Sequence, residues 1–152
     1  MTEYVDLDGG RIAYDVTGSG PLVVLSHGIG VRRQDYRFLA PILAAAGYRV
    51  ANADLRGHGE SSTGWASITR TDVAGDLLAL IGHLDGPAVI VGHSISGGAA
   101  TIAAASSRNL SAGSSRSTHS PGCRSRTPAR CCGSGATAAA FSGWAARSCS
   151  AV

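Results

Sequence analysis

Residues 88–98 read Ala-Val-Ile-Val-Gly-His-Ser-Ile-Ser-Gly-Gly, and this stretch decides the fold. Ala88 to Val91 is a short apolar run rich in β-branched residues, the signature of a strand buried on both faces inside a parallel sheet. Gly92 and Ser96 flank Ser94 at two residues' distance, and both are small, as a sharp turn at Ser94 demands. Gly97, Gly98, Ala99 and Ala100 then open a small-residue helix that can lie close to the sheet with its N-terminal dipole aimed at the serine. The predicted unit is strand, tight turn, helix.

The same alternation extends toward the N-terminus. Leu22 to Leu25 is a second apolar run of strand length, and Arg49 to Asp54 a third. Between them, Asp35 to Ala46 carries Tyr36, Leu39, Ile42 and Leu43 at helical spacing, with Gly47 as stop. Thr71 to Leu84 repeats the helical stripe with Val73, Leu77, Leu80, Ile81 and Leu84. Val5 to Leu7 and Arg11 to Val16 flank Gly9-Gly10 and read as an antiparallel hairpin. The order strand-strand-strand-helix-strand-helix-strand-turn-helix predicts an α/β fold. Its sheet is doubly wound, mostly parallel, and incomplete after the fifth strand and the helix that follows the turn.

Charge divides the chain in two. Residues 1–105 hold seven Arg against ten acids, whereas residues 106–152 hold six Arg and no acid. Lysine is absent throughout, which together with the abundant Ala and Gly suggests a G+C-rich coding sequence. The N-terminus is acidic and lacks the order of a secretion signal, so a cytoplasmic location is expected. No apolar run approaches the roughly 20 residues of a membrane-spanning helix, and no membrane role is expected. Cys123, Cys131, Cys132 and Cys149 match neither a zinc nor a redox spacing. No metal or cofactor is expected.

Three motifs recur in order at strand ends: Ser26-His27-Gly28-Ile29-Gly30, then Asp54-Leu55-Arg56-Gly57-His58-Gly59-Glu60-Ser61, then Gly92-His93-Ser94-Ile95-Ser96-Gly97. Each is weak alone, but the ordered set resembles the α/β-hydrolase superfamily. The resemblance implies that Ser94 is a nucleophile on a strand-to-helix elbow supported by Gly92, His93, Ser96 and Gly97. It also implies an oxyanion hole from the backbone N–H groups of Ile95 and Ile29, the latter on the His27-Gly28 turn. Ser96 departs from the glycine usual at its place. Relatives that open epoxides or displace halide carry aspartate where Ser94 stands, so the implied chemistry is acyl transfer to water through an acyl-enzyme. The implied substrate is a small apolar or ester-like molecule.

Plainer readings compete at several residues. Ser94 on its own would be a helix-cap serine, and His27 and His58 invite assignment as general bases, although in the resembling family such positions shape loops. Asp54, Asp35 and Asp72 fit structural roles at strand and helix ends. In the resembling family the triad acid and histidine follow the serine, yet the sequence holds no Asp or Glu after Ser94 and only His119 as a later histidine. The acid and base are therefore unassigned. The chain is read as inactive or weakly active, with a non-catalytic remnant or binding protein as the alternative.

Residues 106–152 are 32 of 47 Ser, Ala, Gly or Arg, and read as an irregular tail with a helix allowed only over Ala136 to Ala146. Six scattered Arg without interleaved aromatics argue against a nucleic-acid-binding arm. Reverse translation from Arg108 in the shifted frame permits Glu-Pro-Val-Gly-Gly-Leu-Val-Glu-Ile-Asp-Pro-Leu-Thr-Arg, a turn, an apolar strand and a stop. A frameshift near residue 106 would explain the change in composition. A sheet ending at Ala88 to Val91 would expose an apolar edge and favour self-association.

Overall fold

A computed structural model describes residues 1–112 and 136–140. Six strands form one sheet: β1 (Glu3–Leu7), β2 (Gly10–Thr17), β3 (Leu22–Ser26), β4 (Arg49–Ala53), β5 (Ala88–His93) and β6 (Ala136–Ala140). The helices are α1 (Leu39–Ala45), α2 (Arg70–His83) and α3 (Ile95–Ala112). Strand order is β1-β2-β4-β3-β5-β6. The middle of the sheet is parallel, β3 pairing with β4 and β5, and β1, β2 and β6 are antiparallel to their neighbours.

β3 shows why its apolar run carries no polar alternation. Leu22 and Val24 face one cluster with Leu77, Leu80 and Ile81 of α2 and Ala99, Ala100 and Ala103 of α3. Val23 and Leu25 face the other, with Val50 and Ala40, beneath Leu39 and Leu43 of α1. Helices thus cover both faces, as a doubly wound α/β sheet requires. The small residues after Ser94 serve the contact: Ala99, Ala100 and Ala103 are fully buried where α3 meets the sheet.

Three expectations change. The helix predicted over 35–46 is broken into a 3₁₀ turn, Arg33–Tyr36, and the shorter α1. Pro41 explains this, because its ring would collide with the carbonyl of Arg37 in a continuous helix, whereas in the first turn of α1 it is tolerated. The Ala-rich stretch over 136–146, the one part of the tail expected to allow a helix, instead supplies β6 in its first five residues; the rest of that stretch lies outside the described residues. The β5 edge expected to be bare consequently carries β6, with Ile90 opposite Ala139. Edge pairing has overridden alanine's helix propensity. α3 runs to Ala112, across the compositional change at residue 106.

α2 begins with a capping box. The Thr69 hydroxyl accepts from Asp72 N–H at 3.2 Å, and the Asp72 carboxylate accepts from Thr69 N–H at 2.8 Å. The Thr69 hydroxyl, which donates to the Asp72 carboxylate at 2.7 Å, the Ser67 hydroxyl and the Thr69 N–H together hold the Asp72 pKa at about 2. Thr69→Ala should lower unfolding free energy by about 1 kcal/mol in a denaturant titration. A midpoint equal to wild type would show that the box contributes nothing net.

Candidate active site

β5 ends at His93 and α3 begins at Ile95, leaving Ser94 alone at the turn with φ 56°. A non-glycine residue in this left-handed region is held against its own preference, at a cost of order 1–3 kcal/mol. The restraint is visible on both sides. β5 is paired along both edges, and the Ser94 carbonyl accepts from Gly97 N–H at 3.1 Å and Gly98 N–H at 3.3 Å. The Ser94 side chain is exposed.

Gly92 makes the sharp turn possible. A β-carbon there would lie 2.4 Å from the Ser96 carbonyl oxygen and 2.8 Å from Gly97 N, both backbone atoms that cannot swing aside. Gly92→Ala should therefore cost about 1–3 kcal/mol of stability, read by thermal unfolding, and displace Ser94. An unchanged midpoint would mean that the turn has slack.

The His27-Gly28 turn rests directly on this elbow. A β-carbon at Gly28 would come within 2.8 Å of His93 Nδ1 and 3.1 Å of Ser94 Cβ, so with glycine here the two segments approach without displacing the His93 ring or the elbow. Ile29 follows with its side chain 64% exposed. Ile95 opens α3, where first-turn N–H groups have no partner inside the helix. Sequence reading placed Ser94, Gly28, Ile29 and Ile95 at one site, and the fold brings these segments together.

The histidines are engaged elsewhere. His27 is 1% exposed, and Leu55 N–H donates to its Nε2 at 3.0 Å, which leaves Nδ1 to donate to the Gly28 carbonyl at 2.8 Å. Gly30 N–H donates to His58 Nε2 at 3.3 Å, and His58 Nδ1 donates to the Arg56 carbonyl at 3.0 Å. The two rings meet edge to face at 5.6 Å. Both shape loops. His93 is exposed at the end of β5.

Asp54 organises the loop beside the turn. Its carboxylate accepts from Arg33 N–H at 2.7 Å, from Glu60 N–H at 3.0 Å and from the Arg33 guanidinium. Burial pushes its pKa up, but the N–H donors of Arg33 and Glu60 and the Arg33 charge outweigh that and hold it at about 2. Arg33 is itself buried and also reaches Asp15, Glu60 and Thr2. The reach of Arg33 across 18 to 31 positions in sequence left no local signal. A cavity of about 230 Å³ lined in part by Asp15, Arg33, Arg37 and Asn52 lies on the α1 side of the sheet, and Ser94 is not among its lining residues.

A sheet covered by helices on both faces, with one strained residue held at a strand-to-helix elbow at the carboxyl end of a parallel strand, defines a doubly wound α/β architecture. The Alpha/beta hydrolase family matches residues 23–148, and the chain belongs to that family. It is 30% identical over 105 residues to the proline iminopeptidase PfmaB of Pestalotiopsis fici, covering 64% of this chain and 36% of that protein. Over 54 residues it is 44% identical to bifunctional epoxide hydrolase 2 of Sus scrofa, 36% of this chain and 10% of the other. Among solved structures, an epoxide hydrolase from an endophytic Streptomyces superposes with TM-score 0.65 at 36% identity, covering 69% of this chain and 33% of that one. A hydrolase from Pseudomonas aeruginosa PA01 gives 0.63 at 30% identity, covering 68% and 40%. The chain thus spans roughly a third of the length of most of these relatives. Among the described residues, no helix is long and apolar enough to cross a membrane.

Proposed function

We propose that this chain carries the nucleophile-bearing half of a cytoplasmic serine hydrolase. In this reading Ser94 attacks an ester or related acyl bond, and the N–H groups of Ile95 and Ile29 receive the developing oxyanion. The observation that carries it is the φ of 56° at Ser94, on an elbow where Gly28 of the facing turn is in contact range. Its substrate is a small apolar or ester-like molecule. Serine at this position separates the chain from its epoxide hydrolase relatives, because an ester intermediate on an enzyme carboxylate requires an aspartate there.

The acid and base of the triad have no candidates after Ser94 except His119, which lies outside the described residues. The proposed unit is therefore residues 1–105, with 106–152 out of frame, although the family match itself continues to residue 148. The codon reading from Arg108 supports the shift. Sequencing the coding DNA across codons 104–110 tests it directly.

Mass spectrometry after fluorophosphonate treatment tests the nucleophile. Modification at Ser94, and its loss in Ser94→Ala, is the expected result. Modification spread over other serines with Ser94 untouched would leave a non-catalytic binding role as the better reading.

A further inference from the structure

We propose that Ser96 is a positioning residue, its hydroxyl fixing the elbow at Ser94 against the Gly28-Ile29 turn and so setting the distance between nucleophile and oxyanion donors. The inference rests on the proposed role of Ser94. The sequence offers Ser96 only as a small residue tolerated in place of glycine. The structure gives it a task that glycine cannot perform.

β3 and β5 pair in parallel up to Ser26 opposite Gly92. His27 is the first residue beyond that ladder, and it is 1% exposed, so its carbonyl has left the sheet without reaching water. Ser96, 0% exposed, donates its hydroxyl hydrogen to that carbonyl at 2.5 Å and accepts from the Ser26 hydroxyl at 2.9 Å. The preceding carbonyl, that of Ser26, accepts from the Tyr36 hydroxyl at 3.1 Å. Two side chains therefore close the end of β3, and the one from α3 ties it to the elbow.

The tie is short. Ser96 lies in the first turn of α3, where Gly97 and Gly98 already bond the Ser94 carbonyl, so Ser94 and Ser96 move together. On the other side only Gly28 separates His27 from Ile29. Oxyanion donors act over a narrow range, about 2.7–3.1 Å from the developing charge, so a small drift of the turn would defeat them. Without the Ser96 hydroxyl, the His27 carbonyl is buried without this partner, and the turn relaxes until water or another donor reaches it.

Hydrogen exchange on the full 152-residue chain tests this without requiring activity. In Ser96→Ala, the Gly30 amide, which His58 Nε2 holds within this turn, should exchange about tenfold faster, the factor carried by one net hydrogen bond. Amides in β4 and α2 should keep their rates. Ser26→Ala, which spares the bond to His27, should change the turn far less. Uniform acceleration throughout the sheet would make Ser96 a packing residue and overturn the proposal, as would no change at Gly30. Ser96→Gly, with the residue usual at this place, repeats the test should alanine fail to fold. A chain that folds with neither would show a global role and also overturn it.

Slow phosphonylation of Ser94, followed by mass spectrometry, should fall about tenfold in Ser96→Ala in parallel. An unchanged rate beside locally faster exchange would break the claimed link to Ser94. If exchange behaves as expected but wild-type labelling is unaffected by Ser94→Ala, the tie stands and the nucleophile assignment falls.

Discussion

The 152-residue chain should react with a fluorophosphonate only slowly, and restoration of the reading frame after residue 106 should raise the rate by several orders of magnitude. Two parts of the machinery decide the size of the effect. An oxyanion hole with bound substrate retains roughly 10³ to 10⁴-fold catalysis over water, and a complete triad in a model serine protease adds about 2 × 10⁶ in turnover. In the proposed reading the chain holds the first part, and among the described residues no histidine after Ser94 is present for the second. His27 and His58 do not supply the missing base, since both ring nitrogens of each are bonded to backbone groups. Ser94→Ala in the restored chain should abolish labelling. Rapid, Ser94-dependent turnover of a simple ester by the 152-residue chain itself would sink this account. His119→Ala would then be the first variant to make, followed by alanine at His27 and His58.

The parts legible in the sequence are those fixed by local pattern. The buried strand Leu22–Ser26, the stripe Val73-Leu77-Leu80-Ile81 of α2 and the turn at Ser94 each follow from period, branching and residue size within a few positions. The break before α1 was also encoded locally, in Pro41, but the helical spacing of Tyr36, Leu39 and Leu43 masked it. The Thr69-Asp72 capping box spans only three positions and could have been read. Other features depend on distant partners. Arg33 gains its role only when folding brings Asp15, Asp54 and Glu60 around it, and Ser96 only when the end of β3 arrives beside α3. β6 illustrates the limit from the other side, because alanine's intrinsic preference yields to an edge offered by β5.

Asp54→Ala should be the most destabilising single change in the loop layer, by about 3–5 kcal/mol. It removes the carboxylate from a buried pair and leaves the Arg33 charge with partners that are part-exposed, Asp15 at 33% and Glu60 at 53%. It also strips acceptors from the N–H groups of Arg33 and Glu60. Asp54→Asn keeps the shape and some of these bonds, and so separates charge from packing. The pH dependence supplies an independent check. A carboxyl whose folded pKa is depressed to about 2 from 3.8 contributes stability that is full above the unfolded value and lost as pH falls through the folded one. For Asp54 the window is about pH 4 to 2, and the contribution about 2 kcal/mol. Burial raises the pKa of Asp15 and Asp76, which works in the opposite direction, so the wild-type curve alone mixes these effects. The difference between wild type and Asp54→Asn isolates the one carboxyl. Chemical unfolding at successive pH values should show the gap between the two proteins closing as pH drops from 4 toward 2. A gap that stays constant over that range would mean that the Asp54 charge contributes nothing to holding the loop against Arg33.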